Sequence, residues 1–82
     1  MRNKYFVVNK ENSNDSGRIV SLTHCKVGKS CCLHFLFSKE GEFLRTSPLK
    51  KVEEYPSGKV VLTTQNSIYK LTPFQISWLF TD

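Results

Sequence analysis

Six short runs rich in β-branched and aromatic residues, divided by glycine-bearing polar stretches, set the tightest limit on how this chain can fold. They are Tyr5-Phe6-Val7-Val8, Ile19-Val20-Ser21-Leu22-Thr23, Leu33-His34-Phe35-Leu36-Phe37, Phe43-Leu44-Arg45-Thr46, Val60-Val61-Leu62-Thr63-Thr64 and Ser67-Ile68-Tyr69-Lys70-Leu71. Each is four to five residues long, too short and too unlike a 3.6-residue period for an amphipathic helix, and built from the residues that suit a pleated, half-buried surface. Gly17, Gly28, Gly41 and Gly58 fall between the runs and beside polar residues, the punctuation of turns between strands. The expected fold is therefore all-β: five or six antiparallel strands curled into a small SH3-like or OB-like barrel, since curling protects the edges of so small a sheet.

Two hairpins can be placed in register. A two-residue turn at Gly28-Lys29, with glycine first, sets Cys25 opposite Cys32, Leu22 opposite Phe35 and Val20 opposite Phe37. A turn at Asn66-Ser67 sets Leu62 opposite Leu71 and Thr64 opposite Tyr69, which gathers the larger apolar groups on one face. A third turn is expected at Tyr55-Pro56-Ser57-Gly58, where proline fixes one φ and glycine is free to take a positive one. Pro48 cannot donate a ladder bond and should break or bend the stretch from Phe43 to Tyr55 into two strands. The run Lys10 to Gly17 has nothing apolar to bury and reads as an exposed, mobile loop. Near the C-terminus, Thr72-Pro73-Phe74-Gln75 has a helix-start signature, whereas Phe74, Ile76, Trp78 and Phe80 alternate as in a strand; we take residues 73–80 as one or two helical turns docked on the sheet.

With 82 residues the chain makes one domain, residues 1–82, and its ten aromatics are incompatible with a disordered tail. No apolar run approaches the roughly 18 residues needed to cross a bilayer. Met1-Arg2-Asn3-Lys4 leads into only four apolar residues, so no secretory signal is expected and the chain is read as cytoplasmic, with reduced thiols.

Little in the sequence points to catalysis. His24, Cys25, Cys31, Cys32 and His34 form the one group resembling a metal site, with Cys25, Cys32 and His34 expected on one sheet face. Structural zinc sites, however, use a second ligand pair from elsewhere, and none exists here. Cys25 and Cys32 could instead make a cross-strand disulfide; the plainer reading is small residues filling the sheet. A Cys31 or Cys32 nucleophile beside His34 lacks an orienting carboxylate. Glu53 and Glu54 are strand neighbours that point to opposite faces, and Glu40 and Glu42 flank a turn glycine, so neither pair can act jointly. Val27-Gly28-Lys29-Ser30 shares only the last letters of a phosphate-binding loop and reads as a hairpin tip. No enzyme activity and no cofactor are expected.

The remaining signal is charge. Twelve Lys and Arg against seven Asp and Glu give a net charge of +5, which favours anionic partners. Arg45, Lys50, Lys51 and Lys70, with Tyr55 or Tyr69 nearby, can form a cationic face with an aromatic platform, as small barrels do for single-stranded nucleic acid. Scattered lysines also simply solubilise a sheet. We take Arg45, Lys50, Lys51, Tyr55, Lys70 and Trp78 as the candidate binding residues. The expected partner is a protein with an acidic surface, with single-stranded nucleic acid or RNA as the alternative, no membrane, and a homodimer open through a free edge strand.

Leu44-Arg45-Thr46-Ser47-Pro48-Leu49, followed by Val60 through Leu71, resembles a pattern in small uncharacterised bacterial and phage proteins, in which a Thr-Ser-Pro strand precedes a hairpin of the V-x-T-x-N-S-x-Y type. It covers about a third of the chain, and the first 40 residues carry no such likeness. The resemblance implies a small β protein of an accessory or mobile-element kind that blocks or regulates a larger machine. It transfers no functional residue.

Overall fold

The computed structural model describes residues 5–11, 13–38 and 41–74, and these form strands and turns with no helix. The strands are β1 (Tyr5–Asn9), β2 (Ile19–Thr23), β3 (Ser30–Phe35), β4 (Phe43–Glu54), β5 (Val60–Thr64) and β6 (Ile68–Pro73). Every strand pairs antiparallel with its sequence neighbour, and β6 pairs with β1, so the six strands close into a ring. The all-β expectation holds, with six strands.

Period-two alternation decides what goes inside. Phe6 and Val8, Val20, Cys31, Leu33 and Phe35, Leu49, Val60 and Leu62, and Tyr69 and Leu71 point inward and form one buried cluster, which Leu22, Cys25, Leu44 and Val52 extend. Burying these side chains is the main stabilising term, at roughly 1.5–3 kcal/mol for each large one.

The turns refine the expected registers. At β4–β5 the expected turn forms as read: Gly58 N–H donates to the Tyr55 carbonyl at 2.8 Å, and Gly58 takes φ +93°. At β2–β3 the tight turn is centred on Val27-Gly28, with Lys29 N–H donating to the Lys26 carbonyl at 3.1 Å and Gly28 at φ +90°. Glycine takes the second central position, the one that needs a positive φ in a type II turn, rather than the first. The observed pairs are Val20 with Phe35, Leu22 with Leu33 and Thr23 with Cys32, two residues from the expected register. The β5–β6 connection is likewise Gln65-Asn66, which pairs Leu62 with Tyr69 and Val60 with Leu71. An even shift leaves each side chain on its expected face, so the core keeps its members while partners change. Two residues depart from this: Cys25 turns inward, and Phe37 lies beyond β3 at φ +60° and is 76% exposed rather than paired with Val20.

Pro48 does not divide the chain into two strands. β4 runs through it as one strand, its first part paired with β3 and its second with β5, with register shifts between Ser30 and Cys32 and between Leu49 and Lys51. The bulge at the first shift is held by a side chain: the Cys31 N–H donates to Thr46 Oγ1 at 3.0 Å, and that hydroxyl donates to the Ser47 carbonyl at 2.8 Å. A buried hydroxyl thus replaces a ladder acceptor for the Cys31 N–H.

The β1–β2 loop is exposed but bonded. Ser16 Oγ accepts from the Lys10 N–H and donates to the Lys10 carbonyl, and Ser13 Oγ accepts from the Asp15 N–H. The loop also covers the core: the Lys10 ammonium sits 5.4 Å from the Tyr69 ring centroid, and the Arg18 guanidinium that follows lies 3.8 Å from that of Phe35. The loop is exposed as expected, and its Lys10, with the Arg18 that follows it, lies over two inward-facing aromatics. At the C-terminal side, Thr72 and Pro73 belong to β6 and pair with Val7 and Phe6, and the Phe74 N–H donates to the Tyr5 carbonyl at 2.9 Å. The helix-start signature is therefore spent on a strand, and the remainder of the expected helix lies outside the described residues.

Candidate interaction surfaces

With the inside of the ring filled, any site must lie on the outward side chains. Along the second part of β4, β5 and β6 these form two rows, Lys51-Thr63-Ile68 and Glu53-Val61-Lys70, the second continuing to Asn9 of β1. Lys51 Nζ is 3.5 Å from Glu53 Oε2, and the Tyr55 hydroxyl donates to the same carboxylate oxygen at 3.2 Å. Glu53 therefore offsets part of the charge of Lys51 and lies in the same cross-strand row as Lys70, with Val61 separating the two. Of the candidate residues, Lys51, Tyr55 and Lys70 lie on this limb of the ring, with Lys51 and Tyr55 both on the Glu53 carboxylate. Lys50 sits at the register shift between Leu49 and Lys51, exposed. Arg45 is separate, on the first part of β4 opposite Cys32. Trp78 lies outside the described residues.

The other limb is different. None of the residues in β1 (YFVVN), β2 (IVSLT) or β3 (SCCLHF) carries a formal charge. Their outward positions form the row Tyr5-Ser21-His34-Phe43 and, beside it, Val7-Ile19. The Leu36 N–H donates to the Ile19 carbonyl, extending that second row by another aliphatic residue. Phe43 is 55% exposed, with its ring 5.8 Å from that of His34. His34 Nε2 is hydrogen-bonded to Thr23 Oγ1 at 3.0 Å, which fixes the imidazole's orientation. Arg45, next to Cys32, is the first charge at the margin of this face. The charge-led reading of the sequence overlooked it; its signal was the absence of Lys, Arg, Asp and Glu from three successive strands.

Chemistry-bearing groups are otherwise engaged. Cys32 and His34 project outward as expected, but Cys25 is turned to the core, so the three do not share a face. No cluster of metal-ligating side chains exists among the described residues. Glu42 is held by Arg18 through two hydrogen bonds of 2.9 and 3.1 Å, which keep its carboxyl below the ordinary glutamate range and raise the guanidinium. The Gly28 N–H donates to the Leu49 carbonyl at 2.7 Å and the Lys29 N–H to that of Lys26, so this hairpin tip has spent amides that a phosphate would need. An open, polar groove of about 880 Å³ lies between the start of the β1–β2 loop and the β5–β6 turn, lined in part by Asn9, Lys10, Gln65, Asn66 and Lys70. Among the described residues no helix is long and apolar enough to cross a membrane.

No protein-family model, curated protein or solved structure matches the chain. The hairpin resemblance also has a departure, since Leu62 stands where the V-x-T-x-N-S-x-Y pattern begins with valine.

Proposed function

We propose that this chain is a non-enzymatic protein-binding module that acts through the uncharged outer face of β1–β3 and the adjoining Phe43. The observation that carries the reading is the contrast in charge. A nucleic-acid groove needs uncompensated cations in register with phosphates, and on the lysine-bearing face of β4–β6 Glu53 is paired with Lys51. An uncharged face with an exposed aromatic and an arginine at its margin instead has the make-up of a protein interface, whose centre is depleted of charge and whose rim is polar. The partner offers an apolar contact edged with acidic groups that meet Arg45 and the net charge of +5. Because every strand is paired on both sides, recognition uses faces rather than strand addition, and a homodimer would form in the same way.

The strand order, each strand beside its sequence neighbour, favours an SH3-like over an OB-like barrel, whose Greek-key order differs. From the resemblance of its hairpin we infer an accessory or mobile-element product that inhibits or regulates a larger protein machine in the cytoplasm.

The second reading, a single-stranded nucleic-acid or RNA binder, draws on Lys51, Lys70 and Tyr55 sharing one side of the ring. Fluorescence polarisation against random single-stranded DNA at two salt concentrations separates the two. Our reading expects no micromolar binding even at low salt. Micromolar binding that falls steeply with salt and with the change of Lys50 and Lys51 to Ala would replace it with the nucleic-acid reading.

A further inference from the structure

If β2 continued straight past Thr23, the next residue would lie opposite Cys31 and the Cys25 side chain would point outward, on the side of Cys32 and His34. The chain does otherwise. His24 takes φ +61°, an uncommon conformation for a residue with a side chain, and the Lys26 N–H closes back on the His24 carbonyl at 3.0 Å. This crank turns Cys25 to the inside, where it packs on the buried cluster and its side chain interacts directly with that of Cys31. The two thiols are unlike. Cys31 is fully buried, whereas Cys25 is partly accessible. Their contact lowers the Cys25 thiol below its ordinary value, while Cys25 and burial together push the Cys31 thiol up. A partly accessible cysteine therefore lies beside a fully buried one on the inner side of the sheet, the arrangement of an attacking and a resolving cysteine.

We propose that Cys25 and Cys31 are a reversible oxidation site, joined into an intrachain disulfide by hydrogen peroxide or a related hydroperoxide. The Cys25 thiolate attacks one peroxide oxygen, the O–O bond breaks, and hydroxide leaves, giving a sulfenic acid at Cys25. The Cys31 sulfur then displaces the sulfenic oxygen, which leaves as water with the Cys31 proton, and the S–S bond forms. Two thiols are oxidised by two electrons, and the peroxide is reduced to water. A small dithiol reverses the step by exchange. The bond would fix the connection between β2 and β3, which already leans on β4 through Gly28 N–H to the Leu49 carbonyl at 2.7 Å and Leu49 N–H to the Lys29 carbonyl at 3.0 Å. Val27, 63% exposed at the tip of that connection, would be presented in one fixed position.

Sequence makes the site simple to map, because Lys26 and Lys29 lie between the two cysteines. The reduced full chain is treated with one equivalent of hydrogen peroxide, its remaining thiols are blocked, and it is cut with trypsin without reduction. We expect the peptide from Ile19 to Lys26 to be linked to the peptide beginning at Ser30, and free thiols to fall from the three in the reduced chain to one. The variant Cys32→Ser, altered at an outward position, should retain the linkage and lose both remaining thiols, and dithiothreitol should restore them. Three surviving thiols, a linkage abolished by Cys32→Ser, a bond between chains, or Cys25 oxidised without linkage would each overturn the proposal.

Discussion

The first three strands and the last three bury similar side chains and present opposite ones. Inside, Phe6, Val20 and Leu33 meet Val60, Leu62 and Leu71 in one cluster. Outside, β1–β3 carries no formal charge, whereas β4–β6 carries Arg45, Lys50, Lys51, Glu53, Glu54 and Lys70. Packing dictates the inner alternation equally for both limbs, so it cannot explain the outer difference. Solubility alone would favour charge on both. An outer face left uncharged where folding does not require it is therefore the part of the molecule on which a functional reading can rest.

That comparison can be broken first at the core the limbs share. Leu33→Ala, at a fully buried site in the uncharged limb, should destabilise the chain by about 2–5 kcal/mol. In urea both limbs should unfold in a single transition; separate transitions would mean that they are not one cooperative ring. Thr46→Val keeps the shape at the β4 bulge but leaves the buried Cys31 N–H without its acceptor, at a cost of about 1–3 kcal/mol in the same assay. Phe43→Ala should alter stability by less than about 0.5 kcal/mol, since the ring is exposed. Its effect should instead appear in partner affinity, by about 2 kcal/mol measured calorimetrically, if the uncharged face is the contact. Changing Lys51 and Lys70 together to Ala on the charged limb should cost less than about 1 kcal/mol of affinity and act mainly on the association rate and its salt dependence. Equal losses from the two surfaces would erase the distinction between the limbs.

A last comparison concerns acid. Arg18 holds the Glu42 carboxyl below its ordinary value in the folded chain. A carboxyl depressed on folding contributes stability that is present above the unfolded value of about 4.3 and is lost as pH falls through the lower folded value. Thermal melts across that window should decline for the wild-type chain, and Arg18→Met should flatten the part of the decline due to Glu42. Because the pair is solvent-exposed, this is the smallest of the effects.

Much of the fold was legible because it depends on local pattern. The β2 and β5 boundaries follow from their apolar runs, and Tyr55-Pro56-Ser57-Gly58 carries its turn chemistry in four consecutive residues. The two misplaced turns lie one residue from where they were expected, since Gly28 suits either central position of a two-residue turn and its neighbours do not decide between them. The unbroken β4 was hidden for another reason: the Thr46 hydroxyl that supports the bulge answers an amide fifteen residues away, on another strand. Cys25 was placed on the wrong face because His24, an ordinary residue, adopts a conformation the sequence does not signal. Among the candidate site residues, the lysines were visible singly, but that Glu53 pairs with Lys51 and shares a cross-strand row with Lys70 became apparent only in the folded sheet. The uncharged face had the plainest signal of all, though it emerges only once the strand boundaries are drawn.

Recognition through faces depends on ring closure, because a sealed seam between β1 and β6 leaves no strand edge free there. Amide hydrogen exchange followed by NMR tests that seam directly. The hydrogen-bonded amides of β1 and β6 along it should exchange as slowly as those between β3 and β4. Rapid exchange confined to the β1–β6 seam would mean an open sheet with two free edges, and would contradict the account.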